Sequence, residues 1–315
     1  MDDSPPAKDA AFAAVDWGTS SFRLWVLDSG GNVLAERRSD EGMMHAAQAG
    51  FGPILEAHLR AAGASDDLPV IICGMAGARQ GWVEAPYIDT PAALDTLAEH
   101  AVTVPGIARP VRILPGVAQR KPGRFDVMRS EETQLLGLVA ENPAITLACL
   151  PGTHSKWVDL EGGSVTGFST FMTGELFALL CEHSILRHGM AAPSPPLAPT
   201  EAFLAGVEAS LEYPARATAH LFELRAAVLL AGLSPEDMRA RLSGLLIGLE
   251  IAGAVTLHDL YEPVTLAASG QLAGLYDAAL RHAGVKTVAA DAGEAVRRGL
   301  LEAARRVLPT MGARS

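Results

Sequence analysis

The 315 residues are 49% hydrophobic and 19% charged, enough for two ordinary domains with substantial cores, and the balance argues against wholesale disorder. The formal charge of −11, without any run of Lys or Arg, argues against a nucleic-acid surface, because phosphate contacts need clustered basic side chains. An anionic substrate would have to be held by a few local groups.

The first ten residues, MDDSPPAKDA, are polar and read as a loose tail without the apolar centre of a signal peptide. AFAAVD (11–16) is an apolar strand ending on an acid, WGTS a turn, SFRLWVLD (21–28) a second strand with alternating faces, SGG a turn and NVLAERRS (32–39) a third strand. Gly50–Ala62 has helical apolar spacing, LPVIICGMAG (68–77) is a buried strand ending in glycines, Ala92–His100 a helix after Pro91, and VRILPGV (111–117) a strand. Ser130–Glu141 is a helix whose first-turn carboxylates complement its dipole, and the Asn142-Pro143 pair marks a boundary.

Beyond it the plan restarts, with strand ITLACL (145–150), turn PGTHS, strand KWVDL (156–160), turn EGG and strand SVTGFSTF (164–171). Helices are expected over Thr173–Arg187, Thr200–Leu211, Arg216–Leu230 and Pro235–Leu257. Strand VTLAAS (264–269), helix Leu272–His282, strand VKTVAA (285–290) and a final helix to Val307 complete the chain. The stretch Leu242–Leu257 is apolar but broken by Ser243, glycines and Glu250, which suits a buried helix better than a membrane span. Two copies of strand, Gly-Thr turn, strand, Gly-Gly turn, strand point to a duplicated α/β domain, divided as 1–142 and 143–315. Cys73, Cys149 and Cys181 lack metal-type spacing and read as buried free thiols in a reducing, cytoplasmic compartment.

A Gly-Thr turn exposes successive backbone N–H groups and a hydroxyl where no bulky side chain intrudes, which suits phosphate oxygens. In the first turn Gly18, Thr19 and Ser20 follow Asp16, a carboxylate placed to hold magnesium through water. In the second, Gly152, Thr153, His154 and Ser155 precede Lys156, which adds a compact positive charge. Facing each other, the two hairpins would clamp a nucleotide triphosphate. No GxxxxGK[ST], GxGxxG after a strand, HRDxxxxN or HExxH pattern competes for that role.

DWGTSSFR near the start, GMAGARQGWVEAPY (74–87), DVMRSEETQLLG (126–137), LPGTHSKWV (150–158) and FSTFMTGELFALL (168–180) together resemble the 2-dehydro-3-deoxygalactonokinase family, over residues 12–306. The resemblance implies two actin/hexokinase-like (ribonuclease H-like) domains with a nucleotide cleft between them. It also implies ATP- and magnesium-dependent phosphorylation of the C6 hydroxyl of 2-dehydro-3-deoxy-D-galactonate. Ser130 departs from it, standing where such proteins often carry Gly before the Glu pair. Glu131 then becomes the expected base, with Glu132 and Asp126 behind it; a Glu pair opening a helix resembles the exopolyphosphatase branch, although helix capping explains these acids nearly as well.

The substrate carboxylate calls for a fork-shaped guanidinium, for which Arg79 is the candidate, with Gln80 for hydroxyls and Trp82 as a wall; an exposed arginine beside a structural tryptophan is the plain alternative. Arg23 faces the phosphates or makes a cross-strand salt bridge. Thr173, Gly174 and Glu175 start a helix that binds substrate or forms a capping box. Ser269 and Gly270 resemble the adenosine-contacting turn of the superfamily, or form an ordinary strand–helix turn. A phosphatase or polyphosphate hydrolase on the same fold, and a non-catalytic sugar-acid sensor, are the other classes. Neither nucleic acid nor membrane is expected as a partner, and the oligomeric state is left open, a homodimer included.

Overall fold

Strand β1 (Phe12–Trp17) is apolar on both sides and becomes the centre of a sheet, while β2 (Phe22–Leu27) and β3 (Val33–Ser39) fold back beside it. The outermost of these, β3, carries Glu36, Arg37 and Arg38, the charges that keep a sheet edge from pairing further. The computed structural model describes residues 9–190 and 196–308, so most of the polar opening stretch lies outside the described residues. The chain continues through α1 (Met43–Ala49), α2 (Phe51–Ala61), β4 (Val70–Gly74), β5 (Ile88–Asp89), β6 (Ala92–Ala93), β7 (Val102–Thr103), β8 (Val111–Ile113), β9 (Val117–Lys121), β10 (Arg124–Met128) and α3 (Glu131–Glu141). Then follow β11 (Leu147–Leu150), β12 (Ser155–Glu161), β13 (Ser164–Phe171), α4 (Thr173–His183), α5 (Glu201–Glu212), α6 (Ala217–Ala231), α7 (Pro235–Leu257), β14 (Val264–Ala267), α8 (Gly270–His282), β15 (Thr287–Ala290) and α9 (Ala292–Val307).

The strand order β3-β2-β1-β4-β8 is repeated as β13-β12-β11-β14-β15. β1 pairs antiparallel with β2 and parallel with β4, which is parallel to β8; β11 does the same with β12 and β14, which is parallel to β15. The duplication read from the two hairpins therefore extends to the strands that arrive after the helices. Two short strands extend the pattern: β7 beyond β8, and β6 against Ser164 and Val165 at the start of β13. β5, β9 and β10 form a separate three-stranded sheet.

The compact units do not follow a single cut at Asn142-Pro143. The first takes the described residues to Ile145, Glu161–Thr166 and those from Gly293 onward; the second takes Thr146–Leu160 and Gly167–Ala292. Helix α9 belongs to the first, where its small residues Ala295 and Gly299 let its backbone meet Gly137 and Thr133 of α3. There Gly299 lies on the Thr133 carbonyl, and Arg298 pairs with Glu141. The first core gathers Val15, Trp17, Leu24, Leu55, Leu59 and Ile72; the second gathers Cys149, Trp157, Phe203, Ile251, Leu266 and Tyr276. Each aliphatic side chain so buried contributes roughly 1.5–3 kcal/mol.

Helix α7 is long and apolar enough to cross a membrane, yet Met238, Leu242, Ile247, Ile251 and Ala254 are core residues, as expected of a buried helix. Its start is fixed by Ser234, which accepts the Asp237 N–H at 3.0 Å, with Pro235 in the first position.

Several elements differ from expectation. The helix expected over Ala92–His100 is the short strand β6 followed by a 3₁₀ turn, Leu94–His100, whose Leu94, Leu97 and Ala98 satisfy the same apolar spacing. VRILPGV breaks into two strands at Pro115, which has no N–H to give a ladder. The helix expected to reach Arg187 stops at His183, where Ser184 turns its hydroxyl to the Leu186 N–H and starts a 3₁₀ segment.

Candidate functional site

In the first unit, β1 delivers Asp16 opposite Arg23 of β2 and level with Cys73 of β4. Asp16 Oδ1 accepts hydrogen bonds from Ser130 Oγ at 2.9 Å and Cys73 Sγ at 3.7 Å. Burial pushes the Asp16 carboxyl above its ordinary value, while Ser130, the Arg23 charge and Cys73 pull it back. Ser130 does this from φ +95°, a region that side chains avoid at about 1 kcal/mol or more, which explains why glycine suits the position. A cavity of about 360 Å³ opens beside Asp16, lined by Ser21, Arg23, Arg38, Ser39 and Asp40. Carboxylate and hydroxyl oxygens of this kind fit a hard cation such as magnesium with part of its water shell.

The turn itself is held by helix α1, a segment absent from the sequence expectation. The Met43 and Met44 N–H groups donate to the carbonyls of Gly18 and Thr19 at 2.9 and 3.1 Å. Gly42, ahead of them, lies so close to Ser20 that a Cβ would sit 2.5 Å from its backbone. Thr19 and Ser20 stay exposed.

The two acids that open α3 differ sharply. Glu132 has 0% exposure, and its carboxyl accepts the Ser130 N–H at 2.9 and 3.1 Å and Thr133 Oγ1 at 3.0 Å. Burial, reinforced by the Glu131 charge, pushes the Glu132 carboxyl up to about 8. Glu131 is partly exposed and accepts the Arg129 N–H at 2.9 Å. Asp126, expected behind them, instead lies on β10 opposite Gln119, in the separate sheet, and bonds the Val127 N–H at 2.8 Å. The Pro122-Gly123 turn makes a hairpin of this segment, so the acid belongs to a strand rather than to the helix start.

The raised Glu132 carboxyl has a stability consequence. The folded chain keeps a proton that the unfolded chain releases near 4.5, so stability is full below that pH and falls as pH rises towards about 8. The loss is on the order of 4 kcal/mol. Urea unfolding from pH 5 to 8 is expected to show Glu132→Gln much flatter than the parent chain; parallel curves would contradict a buried neutral carboxyl.

Arg79 and Gln80 are exposed on the turn after β4. Trp82 is not a free wall: its ring stacks on Phe51 at 5.9 Å and meets Trp17 edge-on at 6.2 Å. Because Trp17 and Asp16 alternate along β1, this cluster lies on the opposite face of the sheet from the Asp16 carboxylate. There Trp82 and Gln80 line a cavity of about 740 Å³ with Phe51, Glu56 and Ile107. Arg23 leans over the Trp25 ring at 5.5 Å, beside Asp16.

In the second unit the equivalent turn is built the same way. Gly174 lies against it so closely that a Cβ would sit 2.5 Å from the Gly152 carbonyl oxygen, and the Glu175 N–H donates to the Thr153 carbonyl at 3.0 Å. In both halves the residue after the third strand's helix-start glycine thus ties a helix to the Gly-Thr turn. Thr153 and His154 are exposed, with His154 Nε2 2.5 Å from Glu175 Oε2. Three expected ligand groups turn inward instead. Lys156 is 4% exposed and bonds the His154 carbonyl at 3.1 Å. The Ser155 hydroxyl pairs with Tyr276 at 2.8 Å, and Thr173, 8% exposed, donates to Glu250. Ser269 precedes α8 and bonds Asp291 at 2.8 Å, with Gly270 at φ +61°.

Sequence reasoning missed Ser130 and Cys73 beside Asp16, because strand register brings them there. It also missed Glu250, whose signal was an acid inside an apolar helix; a buried carboxyl needs partners.

A family model described as 2-keto-3-deoxy-galactonokinase matches residues 16–303. "Probable 2-dehydro-3-deoxygalactonokinase DgoK1" of Rhizobium meliloti (strain 1021) is 55% identical over 299 residues, covering 95% of this chain and 98% of that protein. The 2-dehydro-3-deoxygalactonokinase of Escherichia coli (strain K12) is 35% identical, covering 90% and 94%. A crystal structure from Sinorhizobium meliloti, 55% identical, superposes with a TM-score of 0.91 over 95% of this chain and 99% of that one. The activator of 2-hydroxyisocaproyl-CoA dehydratase from Clostridium difficile, solved with ADPNP, is 12% identical with a TM-score of 0.50 over 93% of each chain, a likeness of fold alone. The fold shared with it is a mixed α/β one. Matched over nearly its whole length, the chain belongs to the 2-keto-3-deoxy-galactonokinase family.

Proposed function

We propose that the protein transfers the γ-phosphoryl group of ATP to the C6 hydroxyl of 2-dehydro-3-deoxy-D-galactonate, in the cytoplasm. The observation that carries this reading is family membership over nearly the whole chain, with both curated relatives named as kinases of this sugar acid. Those names favour transfer over the hydrolase and sensor alternatives. Sugar-acid-dependent release of ADP tests it.

Phosphoryl transfer needs positioning, charge neutralisation and a base for the attacking hydroxyl. Backbone N–H groups and hydroxyls of Thr19 and Ser20, and the backbone N–H groups of Thr153 and His154, serve phosphate oxygens, while Gly18 and Gly152 spend their own N–H groups on Ser21 and Ser155 and shape the turns. Asp16 would hold magnesium, through water, and the ion when bound would neutralise phosphate charge. Arg23 stands beside Asp16 and is available to the same oxygens. Glu131 is the base: it is partly exposed, whereas Glu132 is buried and holds its own proton at neutral pH. Ser269 and Gly270 serve the adenosine, and Gly174 and Glu175 support the second turn.

Arg79 is the candidate for the substrate carboxylate, being an exposed fork on a glycine-rich turn. Arg79→Ala is expected to lower kcat/KM for the sugar acid by about tenfold to a hundredfold while leaving the KM for ATP unchanged. Lysine should rescue only part of it. An analogue lacking the carboxylate should be poor for the parent enzyme and indifferent to the substitution; equal harm to both substrates would remove Arg79 from this role.

A further inference from the structure

Glu250 stands in the middle of α7, surrounded by Leu246, Ile247, Ile251 and Ala254, and is 2% exposed. An acid there is costly unless every lone pair finds a donor. Glu250 Oε1 accepts Trp157 Nε1–H at 2.9 Å; Oε2 accepts the Tyr276 hydroxyl at 2.7 Å and the Thr173 hydroxyl. Tyr276 has one proton and gives it to Glu250, so Ser155 must be the donor in the 2.8 Å Ser155–Tyr276 pair. Ser155 Oγ is left to accept the Gly152 N–H, 3.4 Å away. The chain of bonds thus runs one way: turn amide, Ser155, Tyr276, carboxylate. Bonds aligned head to tail polarise and strengthen one another.

These donors sit at particular places. Gly152 and Ser155 bracket the second Gly-Thr turn, and Trp157 follows on β12. Thr173 is the first residue of α4, the helix whose Glu175 N–H holds the Thr153 carbonyl and whose Glu175 side chain meets His154. Tyr276 is on α8, the helix that begins at Gly270. One buried carboxyl therefore joins four elements, α7, β12, α4 and α8, directly beneath the turn. Leucine in its place would strand three buried donors, Trp157, Thr173 and Tyr276, and each of these comes from an element that carries the turn or is bonded to it.

We propose that Glu250 is a positioning residue for nucleotide phosphate: it sets the shape of the Gly152–Ser155 turn and locks it to α4 and α8. Glu250 touches no substrate. The inference rests on the reading of that turn as a phosphate-binding element.

The test is steady-state kinetics of the full-length enzyme with Glu250→Gln, which keeps the shape and the acceptor for Trp157 but turns an NH2 towards Thr173 and Tyr276. The KM for ATP is expected to rise about tenfold, the equivalent of one hydrogen bond, with the KM for the sugar acid within about twofold of the parent. Tyr276→Phe, which removes one link and keeps the ring, should shift the same parameter less, and the double variant should lose little more than Glu250→Gln alone. If Glu250→Gln does not fold, Tyr276→Phe carries the test by the same split between the two KM values.

Unchanged ATP kinetics in a folded Glu250→Gln or Tyr276→Phe, or an equal rise in both KM values, would overturn the proposal. Thr153→Pro, which removes a turn N–H, separates this from failure of the underlying reading. If Thr153→Pro impairs ATP use and the Glu250 and Tyr276 variants do not, only the positioning role fails. If Thr153→Pro also leaves ATP use intact, the turn does not bind phosphate and both fall.

Discussion

Asp16→Asn is expected to lower kcat by about a hundredfold or more while leaving the fold intact. Asparagine keeps an oxygen to accept the Ser130 hydroxyl, so the 2.9 Å bond that fixes this side chain can survive. What disappears is the negative charge at the end of β1, opposite Arg23. Burial already disfavours that charge, so the folded state should lose no stability when it is removed, and urea unfolding should show this. A kcat loss without a stability loss is what a group acting on phosphate-bound magnesium requires. A folded and fully active Asp16→Asn enzyme would remove Asp16 from the nucleotide site.

Glu131→Gln is expected to lower kcat by about a hundredfold to ten-thousandfold, with little change in either KM, because a base acts on the proton in flight rather than on binding. Glutamine can still accept the Arg129 N–H that orients this residue, so the helix start is preserved. The adjoining Glu132→Gln supplies the comparison. Its carboxyl is buried and already neutral at pH 7, so the amide is close to an isostere and kcat should fall far less. If the two variants lose activity equally, the acids serve the helix start together and the base lies elsewhere.

The contrast between those neighbours marks how far the sequence could be read. The strand–turn–strand plan at Phe12–Ser39 and its repeat at Leu147–Phe171 were legible, because apolar strands around Gly-Thr and Gly-Gly turns are a local pattern. So was the buried helix Pro235–Leu257. Helix α1 was not, since its seven residues span barely two turns, too short a run to declare a period, and its role lies in two N–H groups that meet the first turn. The β9–β10 hairpin escaped although Pro122-Gly123 advertised a turn, and Asp126 was drawn to the helix start by proximity in sequence.

Side-chain direction was the larger gap. Ser155 and Lys156 end a turn motif that exposes polar groups and Thr173 starts helix α4, yet all three point inward, and the position of Glu250 and Tyr276 explains Thr173 and Ser155. Ser130 stands out in the sequence as a departure from glycine. Its meaning, a strained residue bonded to Asp16, required the register of β1 against β4 and the approach of α3.

Transfer to the sugar acid is measured by coupled ADP release across a panel of 2-keto-3-deoxy sugar acids, with the phosphorylated product followed by phosphorus NMR. With 2-dehydro-3-deoxy-D-galactonate, ADP and a C6 phosphate ester are expected in equal amounts, with no appreciable ADP from water alone. Release of free inorganic phosphate at the same rate with and without the sugar acid would contradict that transfer.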